Sequence, residues 1–172
     1  MVTPQLRERG ATPWEVAAQV PDPELPMVTL ADLGILRHVR QDGDTVTVTI
    51  TPTYSGCPAM REINHDLRYR LRQAGFGKVA VETELYPPWS SDWITPDGRA
   101  KLRAAGIAPP NSAGHRPTGP VPLTLTAAVR TVSCPRCGSR RTRETSQFSA
   151  TACKALYRCQ DCQEPFEYVK EI

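Results

Sequence analysis

The chain has 172 residues, with 21 Lys and Arg against 18 Asp and Glu and a net charge of +3. This length accommodates one main core and a small second domain. No apolar run reaches the roughly 20 residues of a membrane span, and the N-terminal stretch lacks the apolar segment of a signal peptide. We therefore expect a cytoplasmic protein with no membrane partner, whose six cysteines are thiols or metal ligands rather than disulfides.

The first part of the chain opens with a short helix and a hairpin. Thr12 and Glu15 form a capping box with proline at the first helical position, which predicts a helix start. Apolar residues alternate with threonines over 45–51, after a turn signal at 41–44. This period of two predicts a half-buried strand, paired as a hairpin with a strand that starts at Ile35.

A strand–helix–strand unit follows. Pro58 is predicted to open a helix, because apolar residues then recur every three or four positions up to a stop signal at Gly75, and residues 79–85 alternate again as a strand. Such a unit places its two strands parallel with a right-handed crossover. A last helix is predicted over 95–106, so the elements follow the order α-β-β-α-β-α around a small mixed sheet, an α/β (α+β) fold.

A proline-rich segment at 109–122 has no hydrophobic period and predicts a stiff linker. It separates an α/β domain at 1–108 from a small all-β domain at 123–172. The first domain has 12 basic and 13 acidic residues, whereas 124–172 has 8 basic and 5 acidic residues. Any affinity for nucleic acid should therefore lie in the C-terminal part.

Two C-x-x-C knuckles carry the most specific signal. Cys134 and Cys137 are separated by 21 residues from Cys159 and Cys162, which is close to the spacing of zinc ribbons. Four thiolates complete the tetrahedral shell of a structural zinc ion and leave no position for catalysis; iron in a rubredoxin-like site is the alternative. Because so short a domain buries little core, the metal should supply folding energy. Cys153 is expected to be packed rather than to bind the ion.

Arginines next to the first knuckle raise the alternative of a zinc-ribbon protein that binds nucleic acid. A solvated hairpin explains them better, because no aromatic residues are interleaved with the charges to stack on bases. We therefore expect no nucleic-acid partner. The arginines are Arg136, Arg140, Arg141 and Arg143.

Cys57 stands at the corner between the second strand and the second helix. Unpaired backbone N–H groups at a helix start favour a thiolate, so Cys57 is a candidate nucleophile or metal ligand. The alternative is a buried small hydrophobic side chain. His65 lies about 12 Å further along the helix, too far to act as a base for a cysteine-dependent enzyme.

Four segments carry a resemblance to a known family. They resemble the PaaD family, the accessory proteins of bacterial phenylacetyl-CoA epoxidase (ring 1,2-epoxidase) systems. The domain at 1–108 is also similar to the wider SufT-like iron–sulfur assembly family. The segments are PDPELPMVTLADLGIL, TPTYSGCPAM, YPPWSSDWITPDGRAKLRAAGIAPP and TACKALYRCQDCQEPF.

The resemblance implies a helper of phenylacetate catabolism that matures iron or iron–sulfur centres of the epoxidase and is not itself catalytic. The sequence agrees, because it has no di-iron ligand set, nucleotide fingerprint or plant-type ferredoxin spacing. Cys57 would bind iron or a cluster transiently, with Asp22, Glu24 and Asp32 beside it as orienting groups; the alternative for the carboxylates is turn formation and capping.

The implied partners are oxygenase or reductase subunits of the epoxidase. One thiolate is too few to hold a stable cluster, so the site needs a second copy in a homodimer or a client protein. Tyr86, Trp89 and Trp93, in a proline-rich loop, are candidates for a partner-binding surface, with core packing as the alternative.

Overall fold

A computed structural model of the chain describes residues 10–112 and 131–172, and the chain divides into two compact units. The first unit is Met1–Trp89 with Trp93–Gly98, and the second is Ser90–Asp92 with Arg99–Ile172. The predicted domain boundaries at 108 and 122 stay a prediction, and residues 113–122 of the predicted linker lie outside the described residues. Among the described helices, none has the length and apolar character to cross a membrane.

The first unit contains the predicted mixed sheet. Its strand order is β1-β2-β3, with β1 antiparallel to β2 and β2 parallel to β3. This arrangement confirms the hairpin, the crossover unit and the α-β-β-α-β-α order. The elements are α1 (Pro13–Ala18), β1 (Leu36–Asp42), β2 (Thr45–Ile50), α2 (Met60–Gln73), β3 (Lys78–Thr83) and α3 (Pro96–Ala104), the last of which continues into the second unit.

The core of this unit forms where α2 covers the sheet. The apolar residues of β2 alternate as predicted, and all three are fully buried. Ile63, Leu67 and Leu71 lie four residues apart on α2 and are buried as well, because that spacing places them on one face. Helix α2 packs against β3 and against α1.

The starts of α1 and α2 differ in how they are capped. The Thr12 hydroxyl and the Glu15 carboxylate form the predicted reciprocal capping box of α1. The prediction that Pro58 opens α2 is wrong by two residues, because α2 starts at Met60 with Ala59 as its N-cap. Pro58 and Ala59 belong to a turn, and Cys57 lies before them.

The second unit contains the three-stranded sheet of the predicted zinc ribbon. Its strands β4 (Thr142–Ser146), β5 (Lys154–Cys159) and β6 (Pro165–Val169) form an antiparallel sheet in the order β4-β5-β6. Three aromatic rings of the sheet pack together, with Tyr157 5.9 Å from Phe166 and 5.4 Å from Tyr168 between ring centroids. The buried cysteines Cys134 and Cys159 belong to the same core.

Candidate metal centre and the Cys57 turn

The four cysteines of the two knuckles meet at one point of the second unit. The Sγ atoms of Cys134 and Cys162 are 3.7 Å apart, those of Cys137 and Cys159 are 3.6 Å apart, and all four lie within 4.8 Å of one another. A disulfide bond of about 2.05 Å is excluded at these separations. Zn–S bonds of about 2.3 Å in a tetrahedron place the sulfurs about 3.8 Å apart, so the four sulfurs fit a zinc ion.

The two knuckles are built alike. Each is closed by a backbone hydrogen bond from its first cysteine to the carbonyl five residues on, with N···O distances of 2.8 Å and 3.0 Å. The residue after each second cysteine is left-handed, with φ of 73° at Gly138 and 63° at Gln163. Glycine adopts this conformation freely, whereas Gln163 does so at a cost. The second knuckle therefore repeats the first without its glycine.

Backbone N–H groups act on the ionisation of the thiols. Those of Cys162 and Asp161 donate to the Cys159 sulfur and, against the effect of burial, lower the pKa of Cys159 to about 6. The N–H of Ser139 donates to Cys137, but the Cys159 sulfur and burial outweigh it and raise the pKa of Cys137. At these distances each thiolate disfavours ionisation of the neighbouring thiols through charge repulsion, and a bound cation compensates for that repulsion.

Polar side chains connect the two knuckles across the centre. The carboxylate of Asp161 accepts hydrogen bonds from the Ser139 hydroxyl and from the Arg141 guanidinium, whose Nε lies 2.8 Å from Oδ1. The hydrogen bonds from Arg141 and then from Ser139 hold the pKa of Asp161 below its usual range. One of the four arginines considered for nucleic-acid binding is thus engaged within the ribbon.

Cys57 lies in the turn between β2 and α2, at the predicted corner. Its backbone N–H donates to the Tyr54 carbonyl at 3.2 Å, and its own carbonyl accepts the N–H of Met60 at 3.3 Å. The side chain is half-buried, and Ala59 caps the helix without a side-chain hydrogen bond. The turn therefore holds the thiol just before the start of α2.

The three carboxylates predicted to lie beside Cys57 occupy turns. Asp22 is buried, and its Oδ1 accepts the N–H groups of Glu24 and Leu25, each at 2.9 Å. Asp32 is buried too; its Oδ2 accepts the Thr29 N–H at 2.9 Å, while the Thr29 hydroxyl accepts the Asp32 N–H at 3.1 Å. Glu24 is exposed. These contacts form turns and caps, and a role toward Cys57 stays a prediction.

Within residues 10–112 and 131–172, the four ribbon cysteines form the only group of three or more Cys, His, Asp or Glu side chains arranged to hold one ion. Cys57 and the three carboxylates do not form such a group. Cys153 lies outside the group of four, with its Sγ 3.1 Å from the Thr151 hydroxyl. Among the described residues, Cys57 thus has no companion ligands that would complete a metal site.

The three aromatic residues predicted to form a partner surface differ in exposure. Trp89 is 4% exposed and its indole N–H donates to the Leu33 carbonyl at 2.9 Å, so it packs in the core, the alternative stated for it. Tyr86 is 82% exposed. Trp93 is half-buried, with the guanidinium carbon of Arg37 3.6 Å from its ring centroid. Tyr86 is thus the most accessible of the three.

Comparison with known families agrees with both units. Residues 14–83 match the family model of the iron–sulfur cluster assembly protein, and residues 118–170 match the PaaD zinc beta ribbon domain. Together with the mixed sheet and the four-cysteine centre, these matches define the class of protein: an iron–sulfur assembly-type α/β domain followed by a zinc ribbon.

Relatives over nearly the whole length identify the family. A protein of Escherichia coli, named as a subunit of 1,2-phenylacetyl-CoA epoxidase, is 46% identical over 159 residues, which cover 92% of this chain and 91% of that protein. The chain belongs to the PaaD family, and the resemblance seen in the sequence is confirmed.

Other relatives match about half of the chain. An Fe-S protein maturation auxiliary factor of Porphyromonas gingivalis is 34% identical over 83 residues, covering 47% of this chain and 78% of that protein. A domain of unknown function (DUF59) from Bacillus anthracis, known from a crystal structure, is 27% identical with a TM-score of 0.49, and the match covers 52% of this chain and 87% of that one.

Proposed function

We propose that this protein is an accessory component of phenylacetate degradation that assists assembly or maturation of the iron or iron–sulfur centres of the multicomponent phenylacetyl-CoA epoxidase. The observation that carries the proposal is the 46% identity, over 92% of the chain, to a protein named as a subunit of that enzyme. The iron–sulfur assembly match over residues 14–83, which includes Cys57, supports the maturation role.

The ribbon holds zinc as a structural ion in this proposal. Cys134, Cys137, Cys159 and Cys162 supply the four sulfurs, and a closed tetrahedral site leaves no ligand position for a substrate. Two of these cysteines are buried in the aromatic core, so the ion connects the knuckles to the packed sheet. The ribbon thereby provides a folded module for contact with the client protein.

Cys57 is the proposed point of contact with the iron or iron–sulfur cargo. The residue is half-buried and is held in a hydrogen-bonded turn just before α2. A cluster is commonly held by four thiolates, and this site offers one. The remaining ligands come from an oxygenase or reductase subunit or from a second copy of this chain, and Asp22, Glu24 and Asp32 act as accessory groups. Thiol chemistry of this kind suits the reducing cytoplasm.

The experiment that tests the maturation role is Cys57→Ser. Epoxidase subunits produced together with this variant should contain iron only at the level found when the accessory chain is absent, because serine does not replace a soft thiolate ligand. Iron content and epoxidase activity of the purified subunits are the measurements.

Cys153→Ser provides the matched control for that variant. Cys153 is also a half-buried thiol, but it lies in the second unit and outside the group of four sulfurs. Cys153→Ser should leave the iron content of the epoxidase subunits at the level found with the parent chain. Full iron content and activity with Cys57→Ser would exclude the thiolate role.

The loop that carries Tyr86 is the proposed contact surface for an epoxidase subunit. Truncation of a tyrosine that anchors an interface commonly costs about 2 kcal/mol of binding free energy. Tyr86→Ala should therefore weaken binding to the epoxidase subunit that co-purifies with this chain about 30-fold. Tyr69, which is 56% exposed on α2, provides the control, and Tyr69→Ala should leave the Kd unchanged. Equal Kd values for the parent and Tyr86→Ala, measured by titration calorimetry, would remove this surface from the proposal.

A further inference from the structure

Two short side chains outside the ligand set link the knuckles to each other. Ser139 lies two residues after Cys137 and donates its backbone N–H to that sulfur, and Asp161 lies two residues after Cys159 and does the same. The Ser139 hydroxyl donates a hydrogen bond to the Asp161 carboxylate. A single side-chain hydrogen bond therefore joins two residues that each contact a ligand sulfur through the backbone.

Arg141 fixes the direction of that hydrogen bond. Its backbone N–H donates to the Ser139 Oγ at 3.0 Å, so the hydroxyl hydrogen of Ser139 is directed to Asp161. Its guanidinium Nε lies 2.8 Å from Oδ1 of Asp161, and its carbonyl accepts the N–H of Gln160 at 2.8 Å. The Asp161 carboxylate of the second knuckle is thus held by Ser139 of the first knuckle and by Arg141, two residues further along the chain.

We propose that Asp161 is a positioning residue for metal retention: by binding Ser139 and Arg141, its carboxylate holds two backbone N–H groups on ligand sulfurs and slows release of the ion. The carboxylate itself does not bind the metal. This inference rests on the zinc assignment of the proposed function, and it is independent of the delivery of iron.

The exposure of the ligands indicates where release begins. Cys134 and Cys159 are buried, whereas Cys137 and Cys162 are exposed, so a chelator approaches from the side of the exposed pair. Ser139 contacts the exposed Cys137, and loss of its bond to Asp161 loosens the N–H donor of that ligand. Removal of such outer hydrogen bonds commonly weakens metal binding by about 10- to 100-fold.

Zinc release from the full chain tests the proposal. The zinc-loaded protein is mixed with excess 4-(2-pyridylazo)resorcinol, and the absorbance of the zinc complex gives the release rate. Asp161→Ala and Ser139→Ala should each release zinc about 10- to 100-fold faster than the parent. The effect of the double variant should be clearly smaller than the product of the two single effects, because both changes remove the Ser139–Asp161 bond. Asp161→Asn, which keeps an acceptor oxygen, should lie between the parent and Asp161→Ala.

Arg143→Gln is the matched control. It removes one exposed charge from the same ribbon, and the Arg143 side chain makes no hydrogen bond or ion pair with the described residues. Its release rate should equal that of the parent. In the cobalt-substituted protein, Asp161→Ala should shift the thiolate-to-metal charge-transfer band, whereas Arg143→Gln should not, because only the former disturbs N–H···S hydrogen bonds.

This experiment distinguishes failure of the zinc assignment from failure of the proposed role of Asp161. A parent protein that binds no zinc would overturn the zinc assignment and this inference together. Zinc release from Asp161→Ala at the parent rate, or a double variant whose effect is the product of the two single effects, would overturn the inference alone.

Discussion

Removal of zinc is expected to unfold the second unit and to leave the first unit folded. Binding of a structural zinc ion contributes an apparent free energy of about 10–16 kcal/mol, whereas a whole domain is commonly stable by only about 5–15 kcal/mol. Cys134 and Cys159 are also members of the aromatic core. Without a metal ion, repulsion among the four sulfurs therefore destabilises the packing of that core. The first unit has its own core around β2 and α2.

Two-dimensional amide NMR of the full chain measures this outcome residue by residue. Addition of a strong chelator, or Cys134→Ser, should collapse the resonances of β4, β5 and β6 into the range of unfolded chains while those of β1, β2 and β3 persist. Cys153→Ser is the control and should preserve both sets, because its sulfur lies outside the metal centre. Persistence of dispersed β5 resonances without metal would contradict a structural role for zinc.

Gly34→Ala is expected to destabilise the first unit by about 2–4 kcal/mol, through backbone strain and overpacking. Gly34 has φ of 69°, and an added Cβ would lie 2.6 Å from Cβ of Trp93 and 2.8 Å from its carbonyl oxygen. Neither atom can move easily, because Cβ of Trp93 is bonded to the main chain and the carbonyl oxygen is part of it. The neighbouring Leu33 carbonyl also accepts the indole N–H of Trp89, so displacement there disturbs a buried hydrogen bond.

Gly43→Ala separates the two causes. Gly43 has φ of 57°, but an added Cβ there meets no atom within 4 Å, so it carries the cost of backbone strain without the clash. It should lower the free energy of unfolding by about 1 kcal/mol. Urea unfolding followed by tryptophan fluorescence measures both variants. Equal values for Gly34→Ala and Gly43→Ala would show that the contact with Trp93 adds nothing.

Much of the fold was predictable from the sequence because short-range patterns determine it. The alternation of apolar residues with threonines in 45–51 marks β2, and the spacing of Ile63, Leu67 and Leu71 marks the buried face of α2. The four cysteines were predictable for the same reason, since two identical motifs each bring two sulfurs to one turn. These patterns can be recognised in the sequence without knowing which distant residues are in contact.

The remaining features depend on contacts between distant residues. Ser139 and Asp161 are ordinary polar residues 22 positions apart, and only the folded ribbon brings them together. The proline-rich loop around Trp89 allows either a surface or a core position, and only the folded chain shows that a backbone carbonyl 56 residues away accepts its indole N–H and holds it in the core. The left-handed backbone of Gln163 is not predictable from the sequence, because this position is a glutamine, whereas the equivalent position of the first knuckle is a glycine.

Under the proposed zinc assignment, the burial of two ligand cysteines makes the supply of zinc a determinant of the folded population. Because Cys134 and Cys159 belong to the aromatic core, metal ligation and hydrophobic packing are linked in one equilibrium. For a ligand that binds only the folded form, each tenfold rise in its free concentration above Kd adds about 1.4 kcal/mol to stability. Under the proposed assignment, the fraction of chains with a working ribbon therefore follows the free zinc of the cell, even when the amount of protein is constant.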